Sequence, residues 1–259
     1  MKIAFCLVGI VGAANHKNGI GVPVDYRIGH HFHQKHIFNP NNEHDIDVFI
    51  HSWSTEFETP LVDLYNPKKY IFEKQIDFLQ GDIRNNCIIS RWYSTAMSVR
   101  LKTAYEQQNN FKYDFVMLYR FDHIFQKDLI FLEFNPNNFY VSHRDDCTKS
   151  FCKCVGNKRF YDAWFFSNSN YINTFSALYD SWLYYNLKDP HMETVRHLHE
   201  TGLISKVKHV FYEKKDHFTV RSRIKNCHLT DNKLEIDKLE FFDKHNLKRH
   251  RRIGENHEL

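Results

Sequence analysis

The sequence predicts one α/β domain, in which a mostly parallel central sheet is flanked by helices and carries short antiparallel strands at its edges. Three observations lead to this prediction. Apolar runs typical of strands alternate with segments of helical periodicity. The intervals between the strands are long enough for crossover connections. The early strands are apolar on both faces, as strands of a parallel sheet covered on each side are.

Strands are predicted where short apolar runs end at turn residues. The first run leads into a loop rich in Gly, Asn and His, and Pro67 marks the start of the third. The runs DIDVFIHSW and YDFVMLYRFDHIF are almost unbroken, which favours buried strands. In chain order the predicted strands lie over 2–10, 45–53, within 65–74, and over 113–125, 138–142, 163–166, 205–213 and 217–223.

Helices are predicted between these strands from apolar spacing and from residues that favour helix ends. The first has Phe32 and Ile37 facing inward, and we expect its histidines to face solvent. The second starts at Ser90 and repeats apolar residues at close to the helical period. In chain order the predicted helices lie over 26–38, 90–109, about 168–185, and 189–202.

The composition is that of an ordinary folded protein. Of the 259 residues, 42% are hydrophobic and 25% charged, and the aromatic content of 16% argues against disorder. The net charge of +4 suits an anionic small molecule but is too weak to indicate nucleic acid. Motifs of the RNP or KH type are also missing from the sequence, so we expect no nucleic-acid partner.

The N-terminus favours a cytoplasmic protein. Lys2 precedes an apolar run, as in a signal peptide, but the run fits a first strand followed by a Gly-rich turn better. No stretch of the sequence approaches the ~18 apolar residues of a transmembrane helix. An N-x-[ST] glycosylation sequon is absent from the sequence as well. The six cysteines are therefore expected to be mostly reduced thiols.

The C-terminal segment DKHNLKRHRRIGENHEL is basic and lacks apolar anchoring. We therefore predict a domain over 1–243 and a flexible tail over 244–259. The cations of this tail could hold the protein at an anionic membrane surface, where a lipid-linked acceptor would lie. They are Lys248, Arg249, Arg251 and Arg252.

Functional groups follow three of the predicted strands at their carboxyl ends, where ligands bind in open α/β sheets. Residues two apart on a strand share a face, so Arg120 and Asp122 are expected to point together. Asp122 could bind a divalent cation, Mn²⁺ or Mg²⁺, and Arg120 offers a planar fork for phosphate oxygens. Alternatively, the two merely pair with each other or cap a helix. The full set at the three ends is Gly9, Gly12, His51, Trp53, Arg120, Asp122 and His123.

Four segments resemble a family of small bacterial and viral glycosyltransferases with a GT-A-like, nucleotide-sugar-binding fold. Members of that family typically read KIALCLSG, then DVFIHTW, then a helix with YS…KA…L…YE, then YDLVIRLRFDLLF. This chain reads KIAFCLVG, DVFIHSW, RWYSTAMSVRLKTAYE and YDFVMLYRFDHIF in the same order, and the match covers roughly residues 1–200. Each segment alone is a weak signal, but the second and fourth in this order are fairly specific.

The resemblance implies a transferase that uses a nucleotide-diphosphate sugar, with UDP or GDP favoured, and a glycan, lipid-linked or protein acceptor, as in polysaccharide biosynthesis. It implies that Asp122 stands in place of the metal-binding acid and that Arg120 lies beside the phosphates or the sugar. Asp162 would face the donor sugar or the acceptor. Glu193 could act as the catalytic base on the acceptor hydroxyl if the reaction inverts. His51 and Trp53 could frame the nucleobase or ribose, or belong to the core.

Two departures from the family pattern affect the expected site. Relatives follow the first strand with SGQ-R, whereas this chain has no arginine there. Either Lys17 or Arg27 replaces it, or the first loop binds a different donor. The metal motif is F-D-H rather than D-x-D, so a metal requirement stays open. His123 could bind Mn²⁺ beside Asp122, and His228 could reach the same ion from the C-terminal region.

Two further metal candidates come from the sequence. His143, Cys147, Cys152 and Cys154 have a spacing loosely able to hold zinc, with a local disulfide or unpaired thiols as the alternatives. The run GHHFHQKH is better explained by a solvated helix face than by a metal site.

Two alternative functions stay open. A sugar-phosphate nucleotidyltransferase would use a similar sheet and cation, but it normally carries a basic G-x-G-T-R-type loop after the first strand. The other alternative is a nucleotide- or carbohydrate-binding module without catalysis. The identity of the donor sugar and of the acceptor, the stereochemistry and the oligomeric state are not predicted.

Overall fold

The computed structural model of the chain describes residues 1–11, 25–143, 160–184, 190–212, 215–220, 229–230 and 233–234. Its strands are β1 (Lys2–Gly9), β2 (Asp45–Ser52), β3 (Lys69–Phe72), β4 (Phe115–Arg120), β5 (His123–Phe125), β6 (Phe139–His143), β7 (Trp164–Ser167), β8 (Val207–Tyr212), β9 (His217–Thr219), β10 (Leu229–Thr230) and β11 (Lys233–Leu234). Its α-helices are α1 (Tyr26–His33), α2 (Glu58–Tyr65), α3 (Ile83–Asn109), α4 (Ser169–Ser176) and α5 (Pro190–Glu200).

A mixed sheet of seven strands, in the order β3–β2–β1–β4–β7–β6–β8, lies at the centre of the fold. The pairs β3–β2, β2–β1, β1–β4 and β6–β8 are parallel, which confirms the predicted mostly parallel α/β architecture. The predicted place of the antiparallel strands is wrong: β7 runs antiparallel to both β4 and β6 inside the sheet. All four β7 residues are buried, which an interior position allows and an edge would not.

Alternation along β1 and β4 divides the core into two layers, one on each face of the sheet. Because side chains two apart on a strand share a face, each strand contributes to both layers. One layer, packed against α3, contains Ala4, Cys6, Val116 and Leu118. The other contains Ile3, Phe5, Leu7, Phe115, Met117 and Tyr119. Burial of both faces explains why these strands appear in the sequence as unbroken apolar runs.

The prediction that the histidines after residue 26 face solvent is wrong. His33 is fully buried, with Nδ1 2.8 Å from the Tyr65 hydroxyl and Nε2 3.1 Å from the His123 carbonyl. His36, in the π-helical turn that continues α1, is also buried and lies 2.6 Å from an Asp128 oxygen. Hydrogen bonds from other elements make burial of these polar rings acceptable.

The helix boundaries show how caps and packing override periodicity. α3 starts seven residues before the predicted Ser90, since the Asp82 carboxylate accepts from the Asn85 amide at 3.1 Å and caps the helix there. α4 ends at Ser176, short of the predicted 185, and turns follow it. The last predicted helix is confirmed as α5. Among the described helices, none is long and apolar enough to cross a membrane.

A buried ion pair on α3 connects this helix to α4 and to the segment before β4. Lys102 Nζ lies 2.9 Å from Glu106 Oε2 and also donates to Ser169 and Asn173 at the start of α4. Glu106 Oε1 accepts the Tyr113 amide at 2.9 Å. Both charged side chains are fully buried, so the pair joins α3 to α4 and to the segment that enters β4.

Candidate active site

The candidate site lies at the carboxyl edge of the sheet between β1 and β4. β1 connects onward to β2 on one side, while β4 lies on its other side, so the strand order reverses at this point. Such a reversal opens a crevice in which α/β proteins bind ligands. Gly9 ends β1 with φ of +93°, and its amide donates to the Ser94 hydroxyl of α3 at 2.7 Å. Val8 pairs with Arg120, so the two strand ends are level.

Arg120 and Asp122 point together, as their spacing predicts, and form a two-pronged ion pair. Nε lies 2.8 Å from Oδ1, and Nη2 lies 2.6 Å from Oδ2. Burial alone would lower the pKa of Arg120, but the charges of Asp122 and Asp162 outweigh it and raise that pKa. The guanidinium is therefore a permanent cation at the end of β4.

Asp162 reaches the same edge because β7 runs antiparallel to β4. The Arg120 amide donates to the Ala163 carbonyl at 3.2 Å, which fixes the start of β7 opposite the end of β4. Burial would raise the pKa of Asp162, but the charges of His191, Arg120 and Arg91 outweigh it and lower the pKa to about 2. Asp162 is thus an anion throughout the neutral range.

Arg91, on α3, belongs to the site although no sequence pattern singled it out. Its Nη2 donates to the Asp162 carbonyl at 2.7 Å, and its Nη1 donates to the Thr95 hydroxyl. Burial lowers the pKa of Arg91 to about 10, which still leaves the group charged at neutral pH. A cation close to the buried apolar residues Ile89 and Trp92 was the available signal.

The first turn of α5 carries His191 and Glu193, and His191 lies beside Asp162. His191 Nδ1 lies 2.8 Å from the Phe160 carbonyl and 3.7 Å from Asp162 Oδ1. Because a carbonyl can only accept, Nδ1 carries the proton in this contact. Glu193 is buried on the inward face of α5, with 6% of its surface exposed.

His51 and Trp53 lie at the end of β2, enclosed by protein groups. The His51 ring is within 2.8 Å of the Ser94 hydroxyl and 2.9 Å of Glu73 Oε1. Trp53 stacks on Tyr93 at a centroid distance of 5.2 Å. These contacts fasten β2 to α3, and a role for either residue toward a nucleobase stays a prediction.

Two other predicted residues make their described contacts elsewhere. The His123 ring is fully buried, with Nε2 3.0 Å from His217 Nδ1 and Nδ1 3.3 Å from the Thr219 hydroxyl. Arg27 forms an ion pair with Asp25 at the start of α1. The structure therefore groups Arg120, Asp122 and Asp162, and does not add the side chain of His123 to that group.

Several predictions concern residues outside the described part of the chain. They are Gly12, Lys17, His228, Cys147, Cys152, Cys154 and the tail over 244–259. His143, the fourth candidate zinc ligand, is described, and its ring stacks on Tyr212 at 4.3 Å.

The divalent cation expected at Asp122 stays a prediction, and the described residues supply one observation that bears on it. They contain no group of three or more His, Cys, Asp or Glu side chains that could hold a metal ion. Both oxygens of Asp122 are bonded to Arg120. However, Mg²⁺ is commonly bound by one or two carboxylates together with substrate phosphates. Asp122 therefore fits a cation that arrives with a phosphorylated ligand, rather than one held by the protein alone.

Comparison with known proteins does not assign this chain to a family. A scan against protein-family models finds no match, and a search of curated proteins finds no similar sequence. Function must therefore be inferred from the site itself.

Proposed function

We propose that this protein is a glycosyltransferase with a GT-A-like fold that transfers a sugar from a nucleotide-diphosphate sugar to a glycan, lipid-linked or protein acceptor. The observation that carries the proposal is the meeting of the Arg120–Asp122 pair with Asp162 at the point where the strand order reverses. The resemblance supports it further, since its four segments form β1, β2, α3 and β4, the elements around this crevice.

The donor diphosphate would bind at Arg120, whose fork suits phosphate oxygens. Asp122, released from Arg120, would then hold Mn²⁺ or Mg²⁺ together with the phosphates, and the ion would neutralise charge on the departing diphosphate. UDP and GDP are the favoured nucleotides, with the sugar placed toward Asp162.

Charge and burial suggest different roles for the two candidate catalytic acids. With a pKa of about 2, Asp162 is a weak base at neutral pH, so we assign it to binding the sugar and stabilising positive charge at the anomeric carbon. Glu193 is assigned as the base. In an inverting transfer the acceptor oxygen bonds to the anomeric carbon, the bond from that carbon to the diphosphate oxygen breaks, and the hydroxyl proton passes to Glu193.

A nucleotide-sugar screen tests the proposal. Thermal unfolding is measured with UDP-, GDP-, CMP- and dTDP-sugars, with and without Mn²⁺, for wild type, Asp122→Asn and Asp180→Asn. Asp180 pairs with Arg100 on the surface and so provides a matched aspartate outside the site. A ligand at about 100 times its Kd should raise Tm by roughly 5 °C or more.

We expect one nucleotide class to give this shift in wild type and Asp180→Asn, with a further gain from Mn²⁺ that Asp122→Asn loses. Release of free nucleotide from the sugar donor then establishes turnover. Binding without turnover for any acceptor would favour the non-catalytic module, and absence of any nucleotide shift would overturn the proposal.

A further inference from the structure

Arg91 and Arg120 donate hydrogen bonds to consecutive residues of the segment that leads into β7. The Arg91 guanidinium donates to the carbonyl of Asp162 at 2.7 Å, and the Arg120 amide donates to the carbonyl of Ala163 at 3.2 Å. Arg91 comes from a helix and Arg120 from a strand, so two rigid elements present guanidinium groups to one edge. The charge of Arg120 acts on Arg91, and both charges act on Asp162.

Both arginines have N–H groups that make no hydrogen bond to the described residues. A guanidinium carries five N–H groups. Within the described part of the chain, Arg120 uses Nε and Nη2 on Asp122, and its Nη1 makes no hydrogen bond. Arg91 bonds to Asp162 and Thr95, while its Nε is buried and meets no acceptor among the described residues. A buried donor without an acceptor is costly, so an acceptor-rich ligand would be stabilising here.

Nearby carboxylates allow the guanidinium groups of Arg91 and Arg120 to lie at the same edge of the sheet. Two guanidinium groups are balanced by the carboxylates of Asp122 and Asp162. Asp122 is bound by both prongs of Arg120, which is the geometry a phosphate would use on the same fork. A phosphate group, with more charge and more acceptor oxygens, can therefore displace Asp122 from Arg120.

We propose that Arg91 and Arg120 form a two-arginine cradle for a diphosphate, with one guanidinium on each phosphoryl group. Asp122 is the resident anion that holds Arg120 in position until the diphosphate displaces it. The inference relies on the proposed function for one point, that the diphosphate belongs to a sugar donor. It adds Arg91 as a binding residue contributed by α3.

Titration calorimetry with inorganic pyrophosphate, and separately with UDP, tests the cradle on the full chain. The variants are Arg91→Gln, Arg91→Lys, Asp122→Asn and Arg100→Gln. Arg100 lies on the same helix and pairs with Asp180 at the surface, so it controls for a general loss of positive charge on α3. Circular dichroism and Tm confirm folding, and Arg91→Lys keeps the charge if Arg91→Gln unfolds.

The cradle predicts that Arg91→Gln weakens pyrophosphate binding at least tenfold, that Arg91→Lys weakens it less, and that Arg100→Gln changes it less than twofold. Without divalent metal, Asp122→Asn should bind pyrophosphate several-fold more tightly, because a competing anion is gone. A merely structural Arg120–Asp122 pair would not give that gain.

The outcomes separate the cradle from the proposed function. Pyrophosphate binding that depends on Arg91, without binding of any nucleotide, supports the cradle and contradicts the glycosyltransferase. UDP binding unaffected by Arg91→Gln overturns the cradle and leaves the glycosyltransferase standing. A wild-type chain that does not bind pyrophosphate, or weaker binding in Asp122→Asn, also overturns the cradle.

Discussion

At the scale of single residues, the pKa of Asp162 depends on His191 and on the guanidinium groups of Arg91 and Arg120. Burial disfavours this carboxylate, yet His191, Arg120 and Arg91 lower its pKa from 3.8 to about 2. A depressed carboxylate pKa contributes stability above the unfolded-state pKa, and that contribution is lost as the pH falls through the folded-state value. The Asp162 contribution is therefore fully present at neutral pH.

Asp162→Asn should accordingly lower the free energy of unfolding by about 2 kcal/mol, the equivalent of the pKa shift. The loss should be the same at pH 7 and pH 8, since the group is charged at both. Urea denaturation of wild type and variant measures it. Asp180→Asn, at an exposed ion pair, should change stability by less than about 0.5 kcal/mol. Equal losses in the two variants would contradict the electrostatic account.

Single-residue positions were predictable from sequence only where a local rule applied. The period of two along a strand was enough to place Arg120 and Asp122 on one face. The partner of His123 was not accessible in this way, because His217 lies 94 residues further along the chain. Arg91 was missed for the same kind of reason, since its partner is a carbonyl of another element.

At the scale of elements, α3 depends on a charged pair in its interior. Lys102→Met would leave Glu106 buried next to the Tyr113 amide, and among the described residues the half-exposed Lys112 would be its remaining cation. Removing one partner of a buried pair typically costs 3–5 kcal/mol, whereas replacing both can be nearly neutral.

We therefore expect Lys102→Met to destabilise the protein by about 3 kcal/mol or more, and Lys102→Met/Glu106→Gln to recover part of that loss. Lys112→Met, at the exposed partner, should cost less than about 1 kcal/mol. Urea midpoints for the three variants provide the measurement. A double variant less stable than Lys102→Met would contradict this interpretation.

The helix α1 supports the site through Gly29, which lies against the backbone of Phe121. A Cβ at position 29 would lie 2.4 Å from the Phe121 carbonyl oxygen, closer than atoms tolerate. Alanine gains up to about 1 kcal/mol in helix propensity, but overpacking against a backbone costs about 1–3 kcal/mol.

Gly29→Ala should therefore destabilise the protein by about 1–2 kcal/mol in net terms. It should also weaken pyrophosphate binding, because Phe121 lies between Arg120 and Asp122. Thermal unfolding and calorimetry test both effects. Lys35→Ala, at an exposed position of the following turn, is the control. A Gly29→Ala protein more stable than wild type would show that helix propensity outweighs the contact.

The elements were predictable to the extent that their signals are local. Apolar runs identified β1 and β2 almost to the residue. The run over 113–125 was predicted as one strand, but it forms β4 and β5, which belong to different sheets. The start of α3 was placed at Ser90 because its first turns show no clear apolar period, whereas Asp82 caps the helix earlier. The interior position of β7 depends on pairing with β4 and β6, which no local pattern encodes.

At the scale of the whole molecule, buried neutral histidines should govern the pH dependence of folding. Burial lowers the pKa of His33 and of His217 to about 3. A histidine with a lowered folded-state pKa binds protons more readily when unfolded, so its contribution to stability is lost as the pH falls below about 6.5. Each such histidine adds a slope of about 1.4 kcal/mol per pH unit.

The free energy of unfolding should thus decrease by up to about 3 kcal/mol between pH 6 and pH 5 from these two residues. Urea denaturation across pH 5 to 8 measures the profile. His217→Gln should reduce the slope by the contribution of one histidine, about 1.4 kcal/mol per pH unit, whatever its effect on stability at pH 8. A profile that stays flat down to pH 5 would contradict neutral burial of these rings.

The alternation that divides β1 between the two core layers has a consequence for chemical reactivity. Cys6 lies in the middle of that strand, is fully buried, and burial raises its pKa to about 12. Since the thiolate is the reacting species, a disulfide reagent should modify Cys6 only after the sheet opens. Cys87 is exposed and should react in the native state. Peptide mass spectrometry would follow both labelling rates. The rate at Cys6 relative to that at Cys87 would then measure how often the sheet opens.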